Sequence, residues 1–276
     1  MITKWLVTGD IHGRLGRFQN TDFGNVTPEN TGMIILGDAG FNYYLSGRDV
    51  RMKQAAAQLP FTFYCVRGNH EARPQTIKDM GILHDDNVQG PVYWQPEYPN
   101  IRYLMDGCCY VIDGKQTLVL GGAYSVDKFY RLANGWQWFE NEQLNDEERE
   151  NIYNYLETLA LSGKINKFDL VLSHTAPVNF EPREMFLDCI DQSDVDKSTE
   201  EWLQSIYNLL PEHTFWLFGH YHGDMIMGDN IAMLYEKIID LSCVDTFDHG
   251  SIELPEGFMV ARRYQYERLE RGSSSL

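Results

Sequence analysis

The hydrophobic residues of the first third come in short unbroken runs, and each run ends in a glycine-rich polar turn. Trp5-Leu6-Val7 leads into Gly9-Asp10-Ile11-His12-Gly13. Met33-Ile34-Ile35-Leu36 leads into Gly37-Asp38-Ala39-Gly40, and residues 61–66 lead into Arg67-Gly68-Asn69-His70-Glu71. Continuous apolar runs bounded by turns suit strands that are buried on both faces. Residues 46–59 contain Ala55-Ala56-Ala57 and have Ser46 placed as an N-cap, which predicts a helix between the second and third runs. The alternation is βαβ, and in such sheets functional groups gather where strands end.

The pattern then changes. Residues 88–120 hold several β-rich pieces: Val92-Tyr93-Trp94, 101–105, 109–112 and 117–120, with Asp113-Gly114 as a hairpin turn between the last two. Residues 141–161 read as an acidic amphipathic helix with Leu144, Ile152, Leu156 and Leu159 among its apolar positions. Two further apolar runs end in histidine turns: Leu170-Val171-Leu172 before Ser173-His174, and residues 214–218 before Gly219-His220-Tyr221-His222. The last stretch is β-rich again, including 231–234 and 257–260. There is no internal repeat and no long linker, so the expectation is one α/β domain over residues 1–270 and a flexible tail over 271–276.

Composition adds exclusions. In 276 residues, 43% hydrophobic and 23% charged side chains, with six Trp, 16 Tyr and 14 Phe, describe a globular chain and not a disordered one. The formal net charge of -17 argues against an extended nucleic-acid partner, which would need clustered Lys and Arg. It does not exclude a phosphorylated substrate, because bound divalent cations would reverse the local sign. The five cysteines show no metal-binding spacing and read as reduced, mostly buried thiols, with Cys108 and Cys109 on opposite faces of a strand. No signal peptide and no long apolar run is present, so a cytoplasmic protein with no membrane partner is expected.

Five strand ends deliver side chains of one class: Asp10 with His12, Asp38, Asn69 with His70, His174, and His220 with His222. Imidazole nitrogens with carboxylate or amide oxygens are donors for Zn, Mn or Fe, and a bridging carboxylate suits a two-metal site. Taken singly, each has a plainer reading. Gly-Asp-Ile-His-Gly can be only a turn, His174 only a capping or core histidine, and paired histidines occur on ordinary surfaces. Their joint occurrence after apolar runs is what points to a single site.

On these motifs the chain resembles the calcineurin-like metallophosphoesterase family, whose GDxH, GDxx, GNH[ED], later xH and GHxH are matched in order from Asp10 to His222. The resemblance implies a four-layer αββα sandwich with two divalent transition-metal ions, drawn from Mn, Fe, Zn or Ni with Mn favoured. It implies that Asp10, His12 and His222 hold one ion, that Asn69, His174 and His220 hold the other, and that Asp38 bridges them. His70 would act as general acid or phosphate-stabilising donor while a hydroxide between the ions attacks a phosphomonoester or phosphodiester. Glu71 or Asp224 would orient a ligand histidine, or serve as ordinary surface or ion-pair residues.

The match thins at the second motif. The protein phosphatase branch of the family carries GDxVDRG, whose Arg grips phosphate, and Asn42 stands at that position here. An amide offers no charged bidentate grip, which argues against protein phosphatase activity. Arg14, Lys128 and Arg131 are the cations available to replace it, with solvated surface charge as their plain reading. Tyr124, Phe129, Tyr130, Trp136 and Trp138 could stack a nucleobase, or simply pack a core or lid. The expected partner is a small phosphorylated substrate, a nucleotide or phosphopeptide among the candidates. Rival readings are a catalytically inactive scaffold of the same fold, separable by metal content, and a nuclease for short nucleic acid, separable by salt-dependent binding.

Overall fold

The computed structural model describes residues 1–186, 190–246 and 259–260. Its first sheet is built from β1 (Lys4–Thr8), β2 (Thr31–Ile35), β3 (Thr62–Cys65), β4 (Gly81–Asp85), β5 (Gly90–Trp94) and β6 (Ile101–Leu104). The second takes β7 (Cys109–Ile112), β8 (Lys115–Leu120), β9 (Leu170–Ser173), β10 (Phe215–Phe218), β11 (Met225–Gly228) and β12 (Ile231–Met233). The chain then returns β13 (Ile239–Asp240) to the first sheet and β14 (Met259–Val260) to the second. The strand orders are β13-β1-β2-β3-β6-β5-β4 and β14-β11-β12-β10-β9-β8-β7.

Both sheets share a plan. Four central strands run parallel, β1-β2-β3-β6 in one and β12-β10-β9-β8 in the other, and antiparallel strands flank them. Parallel strands need both faces covered. In β1 to β3, Trp5, Val7, Ile34 and Tyr64 join the core shared with the second sheet. The alternate residues Leu6, Met33, Ile35, Phe63 and Cys65 join a separate core with Phe18 of α1 (Gly16–Gln19) and Ala56 of α2 (Gly47–Ala56). That double burial is why these strands read as unbroken apolar runs. After α3 (Lys128–Ala133) on the surface, α4 (Asp146–Leu161) and α5 (Ser198–Leu209) cover the second sheet. Leu156, Leu203 and Ile206 enter its core, and Tyr207 meets Trp216 of β10 with ring centroids 5.9 Å apart. The layering is helix, sheet, sheet, helix, as the motifs implied.

The differences from the sequence reading have local causes. The helix expected over 141–161 starts at Asp146, because Asn145 caps it: its side chain accepts from Glu148 N and the Glu148 carboxylate accepts from Asn145 N, both at 2.9 Å. β4 was hidden because it is an edge strand with Ile82 turned to solvent. The hairpin at Asp113-Gly114 forms with both residues at positive φ, as a tight two-residue turn requires. Cys65 is buried, but Cys108, Cys109 and Cys243 are half-buried, which corrects the expectation of mostly buried thiols. Cys189, residues 257–258 and the tail expected at 271–276 lie outside the described residues. No helix among the described residues is long and apolar enough to cross a membrane.

Replacing Asn145 by Ala removes one half of the capping box at the start of α4. The expected loss is about 1 kcal/mol of unfolding free energy, read from urea denaturation, with an unchanged m-value.

Candidate metal centre

Because the central strands of each sheet are parallel, their carboxyl ends share one edge, and the edges of the two sheets meet. Asp10, Asp38 and Asn69 follow β1, β2 and β3, while His174 follows β9 and His220 and His222 follow β10. His12, Asp38, His220 and His222 all have φ between 46° and 70°, a conformation that non-glycine residues seldom adopt. Such strain concentrates at functional sites, where the surroundings hold it in place.

Glycines admit the close packing. A Cβ on Gly37 would lie 2.0 Å from His174 Nδ1, and one on Gly68 would lie 2.0 Å from Asp38 Oδ1. The glycine before each of these acidic or amide residues therefore leaves room for the neighbouring strand end.

The two buried carboxyl groups are oriented by backbone hydrogen bonds. Asp38 Oδ1 accepts from His70 N and Asp10 Oδ2 from His220 N, both at 2.8 Å. The remaining oxygens face inward. Asp38 Oδ2 lies 3.8 Å from His174 Nε2 and 3.9 Å from His12 Nδ1. Asp10 Oδ1 lies 3.8 Å from His222 Nε2 and 4.0 Å from His174 Nε2, is fully buried and has no hydrogen-bond partner among the described residues. His174 Nδ1 donates to Leu36 O at 2.8 Å, so its neutral ring turns the Nε2 lone pair inward. There it meets Asn69 Oδ1 at 2.8 Å.

The orientation of that amide is fixed. Asn69 Nδ2 donates to Ser125 Oγ at 2.8 Å, and Ser125 Oγ in turn donates to Glu142 Oε2 at 2.5 Å. Two lone pairs thus face each other with no proton between them, an arrangement that a cation relieves.

The electrostatics agree. Burial pushes Asp10 up to about 7, and burial together with the Asp10 charge pushes Asp38 well above the usual carboxylate range. Burial pushes His174 down to about 3 and His12 to about 4, and His220 well below its ordinary value. Neutral imidazoles beside carboxylates that resist ionisation are the state of a site awaiting positive charge. Asp10, His12 and His222 can each offer one atom within 4.8 Å of the others, as can Asp10, Asp38 and His174. His220 faces His174 with ring centroids 5.0 Å apart. The donor set fits divalent metal, and Asp10 belongs to both triads.

The remaining candidates separate. Arg131 Nη2 lies 3.1 Å from His70 Nε2, while Arg131 Nε holds Asp127 Oδ1 at 2.7 Å and Nη1 holds the Tyr43 hydroxyl at 3.0 Å. His70 is pushed down to about 2 by burial and by that guanidinium. Arg14 is exposed, and its charge acts on His12 and His222 at the rim. Lys128 sits 4.3 Å above the Trp138 ring, a cation–π contact outside the cleft lining. The Asn42 side chain is buried beside Tyr103.

Glu71 is buried and accepts from Gly68 N at 2.9 Å, holding the third strand-end turn and no histidine. Asp224 accepts from the backbone of Tyr235 at 2.8 Å, and Tyr235 stacks on His222 with centroids 4.8 Å apart. Its action on that histidine passes through the tyrosine. Ser125 and Glu142 were missed by sequence reasoning, since neither has a motif of its own. The glycine-rich strand end at 121–125 was the one available signal.

Two sheets meeting at their carboxyl edges thus gather buried Asp and neutral His into one candidate metal site. A model of the calcineurin-like phosphoesterase family matches residues 3–224, and the chain belongs to that family. Comparison with curated proteins returns no match. One solved crystal structure is similar over 88% of this chain and 96% of its own, with 15% identity and a TM-score of 0.46, and no functional inference rests on it.

Gly37→Ala would drive a methyl group into the His174 ring. The expected cost is about 1–3 kcal/mol of stability, read from urea denaturation. Gly114→Ala, at an open hairpin turn where an added Cβ meets nothing within 4 Å, is the comparison for backbone strain alone.

Proposed function

We propose that this protein hydrolyses a phosphomonoester or phosphodiester at a dinuclear metal centre. The observation that carries the reading is the inward-facing set of ligand atoms, above all the partnerless Asp10 Oδ1 and the facing pair His174 Nε2 and Asn69 Oδ1. Asp10, His12 and His222 would hold one divalent ion and Asn69, His174 and His220 the other, with Asp38 shared between them. When bound, the two ions acidify water to supply a nucleophile near neutral pH and neutralise the phosphate oxygens.

The chain's own residues do the rest. His70 lines the cleft beside Asp38, and Arg131 Nη2 stands 3.1 Å from its Nε2. Arg131 is anchored by Asp127 and Tyr43 and is the guanidinium beside His70 in a chain that lacks the protein phosphatase arginine. It is the residue suited to hold substrate phosphate through charge-assisted bonds. In the described state the guanidinium donates to His70 Nε2, so this neutral ring carries its proton on Nδ1. Once Arg131 turns to the phosphate, His70 Nε2 is free to take up a proton from solvent, and the imidazolium can pass that proton to the leaving alkoxide. Manganese is the favoured ion, and a small phosphorylated molecule the favoured substrate.

Elemental analysis of purified protein should give two transition-metal equivalents per chain. Asp38→Ala and His220→Ala should lower hydrolysis of a simple aryl phosphate by about a thousand-fold or more while melting cooperatively. Undiminished turnover in both would sink the assignment, and a metal-free protein without activity would favour a scaffold.

Arg131→Ala should cost about 10- to 100-fold in kcat/KM, the worth of a charge-assisted bond to phosphate. Arg131→Lys should recover only part of it.

A further inference from the structure

Asp38, Asn69, His70, His220 and His222 of the candidate centre line a cleft of about 480 Å³, a size that buries a small organic molecule but not a polymer. The same cleft is lined by Tyr124, Phe186 and Tyr221 and by Glu181, Lys197 and Glu200, with Lys197 Nζ 4.7 Å from the Phe186 ring. Phe186 and Tyr221 are stacked, 6.2 Å apart with 22° between their planes. This aromatic wall adjoins the histidines directly, since Tyr221 lies between His220 and His222 in the chain.

Glu200 is the unexplained group in that wall. It stands in the first turn of α5, 4% exposed. Its Oε1 accepts from Thr175 Oγ1 at 2.8 Å, and Thr175 Oγ1 in turn lies 3.1 Å from the Tyr221 hydroxyl. Its Oε2 is buried and has no hydrogen-bond partner among the described residues.

The neighbouring carboxylates are already engaged. Glu181 pairs with Lys197 at 2.6 Å, Asp127 pairs with Arg131, and Asp196 accepts from Gln143 and from Ser198 N. A buried acceptor without a donor costs free energy that a correctly placed donor recovers. A second negative charge beside it would be repelled.

We infer that this part of the cleft receives the alcohol part of the ester, and that it takes a flat ring carrying a hydrogen-bond donor and no negative charge. The ring lies along Phe186 and Tyr221, and the donor meets Glu200 Oε2. Neutral nucleosides and amine-bearing aryl alcohols share this chemistry, whereas acidic phosphopeptides and nucleotides with further phosphates on the leaving side do not. The inference rests on the cleft belonging to a phosphoesterase, so its test must be separable from catalysis.

Binding of three product alcohols to the metal-loaded protein provides that separation, measured by titration calorimetry. The three are para-aminomethylphenol, para-methylphenol and para-hydroxyphenylacetate, and adenosine and inosine are added to distinguish nucleosides from aryl alcohols. The aminomethyl compound should bind tightest and the carboxylate weakest, with roughly ten-fold or more between them. Glu200→Gln keeps an oxygen for Thr175 and should shrink that ratio to about three-fold or less. Phe186→Ala should weaken all three alike. Equal binding of the three by the unaltered protein overturns the inference, as does a ratio unchanged in Glu200→Gln. Should Glu200→Gln fail to fold, the order of binding to the unaltered protein decides alone. Ordered binding without turnover of the matching aryl phosphates would overturn the phosphoesterase reading and leave the pocket standing.

Discussion

Asp10 belongs to the first sheet, and one of its oxygens is held by the backbone amide of His220 in the second. The reverse tie also exists, from the His174 ring of the second sheet to Leu36 O of the first. These two bonds, each 2.8 Å, cross the seam where the sheets meet. Everything in the centre depends on them. They require the sheet edges to approach closely enough that a Cβ on Gly37 could not be accommodated, and they place both side chains where water is excluded. A buried carboxylate with one oxygen satisfied and one not, and a buried imidazole with one nitrogen satisfied and one not, then face the same small volume. The functional geometry follows from how two hydrophobic sheets are joined at one edge.

That joint also explains the backbone. Turning sharply out of a buried parallel strand while presenting a side chain back across the seam calls for positive φ at His12, Asp38, His220 and His222. Such conformations cost of the order of 1–3 kcal/mol each for residues with a side chain. The cores on both faces of the first sheet supply the rigidity that holds them. Phe61 and Phe63 meet at 5.9 Å beneath the turns, and Phe41, in the loop after Asp38, packs against Phe63 at the same distance.

Much of this was legible in the chain, for a definite reason. Strands buried on both faces leave an unbroken apolar signature, and a tight turn beside a packed neighbour demands glycine, so Gly9-Asp10, Gly37-Asp38, Gly68-Asn69 and Gly219-His220 announce themselves. Helix ends governed by local hydrogen bonds were legible only in part. Ser46 could be picked out as a cap, whereas the capping box at Asn145 lay within a stretch that read as helix throughout. What sequence could not supply was any relation made through space between unremarkable residues. Glu142 reaches Ser125 and thereby Asn69, across separations that no spacing encodes. Arg131 and His70 are 61 positions apart, and among Arg14, Lys128 and Arg131 nothing in the chain said which would arrive there.

The acidity of the protein and its affinity for phosphate are reconciled at the same seam. A net charge of -17 would ordinarily repel a phosphate ester. Yet the carboxylates at the centre are held in surroundings that oppose their ionisation, and the guanidiniums of Arg17 and Arg131 act on Asp10 and Asp38. Divalent cations among Asp10, Asp38 and the imidazoles would make the ionised carboxylates the stable form and turn the local field positive. Elsewhere in the cleft lining, Glu200 leaves one buried oxygen without a hydrogen-bond partner among the described residues. The proposed ester sets its phosphate against the histidines and its neutral ring against Glu200, and only one orientation satisfies both.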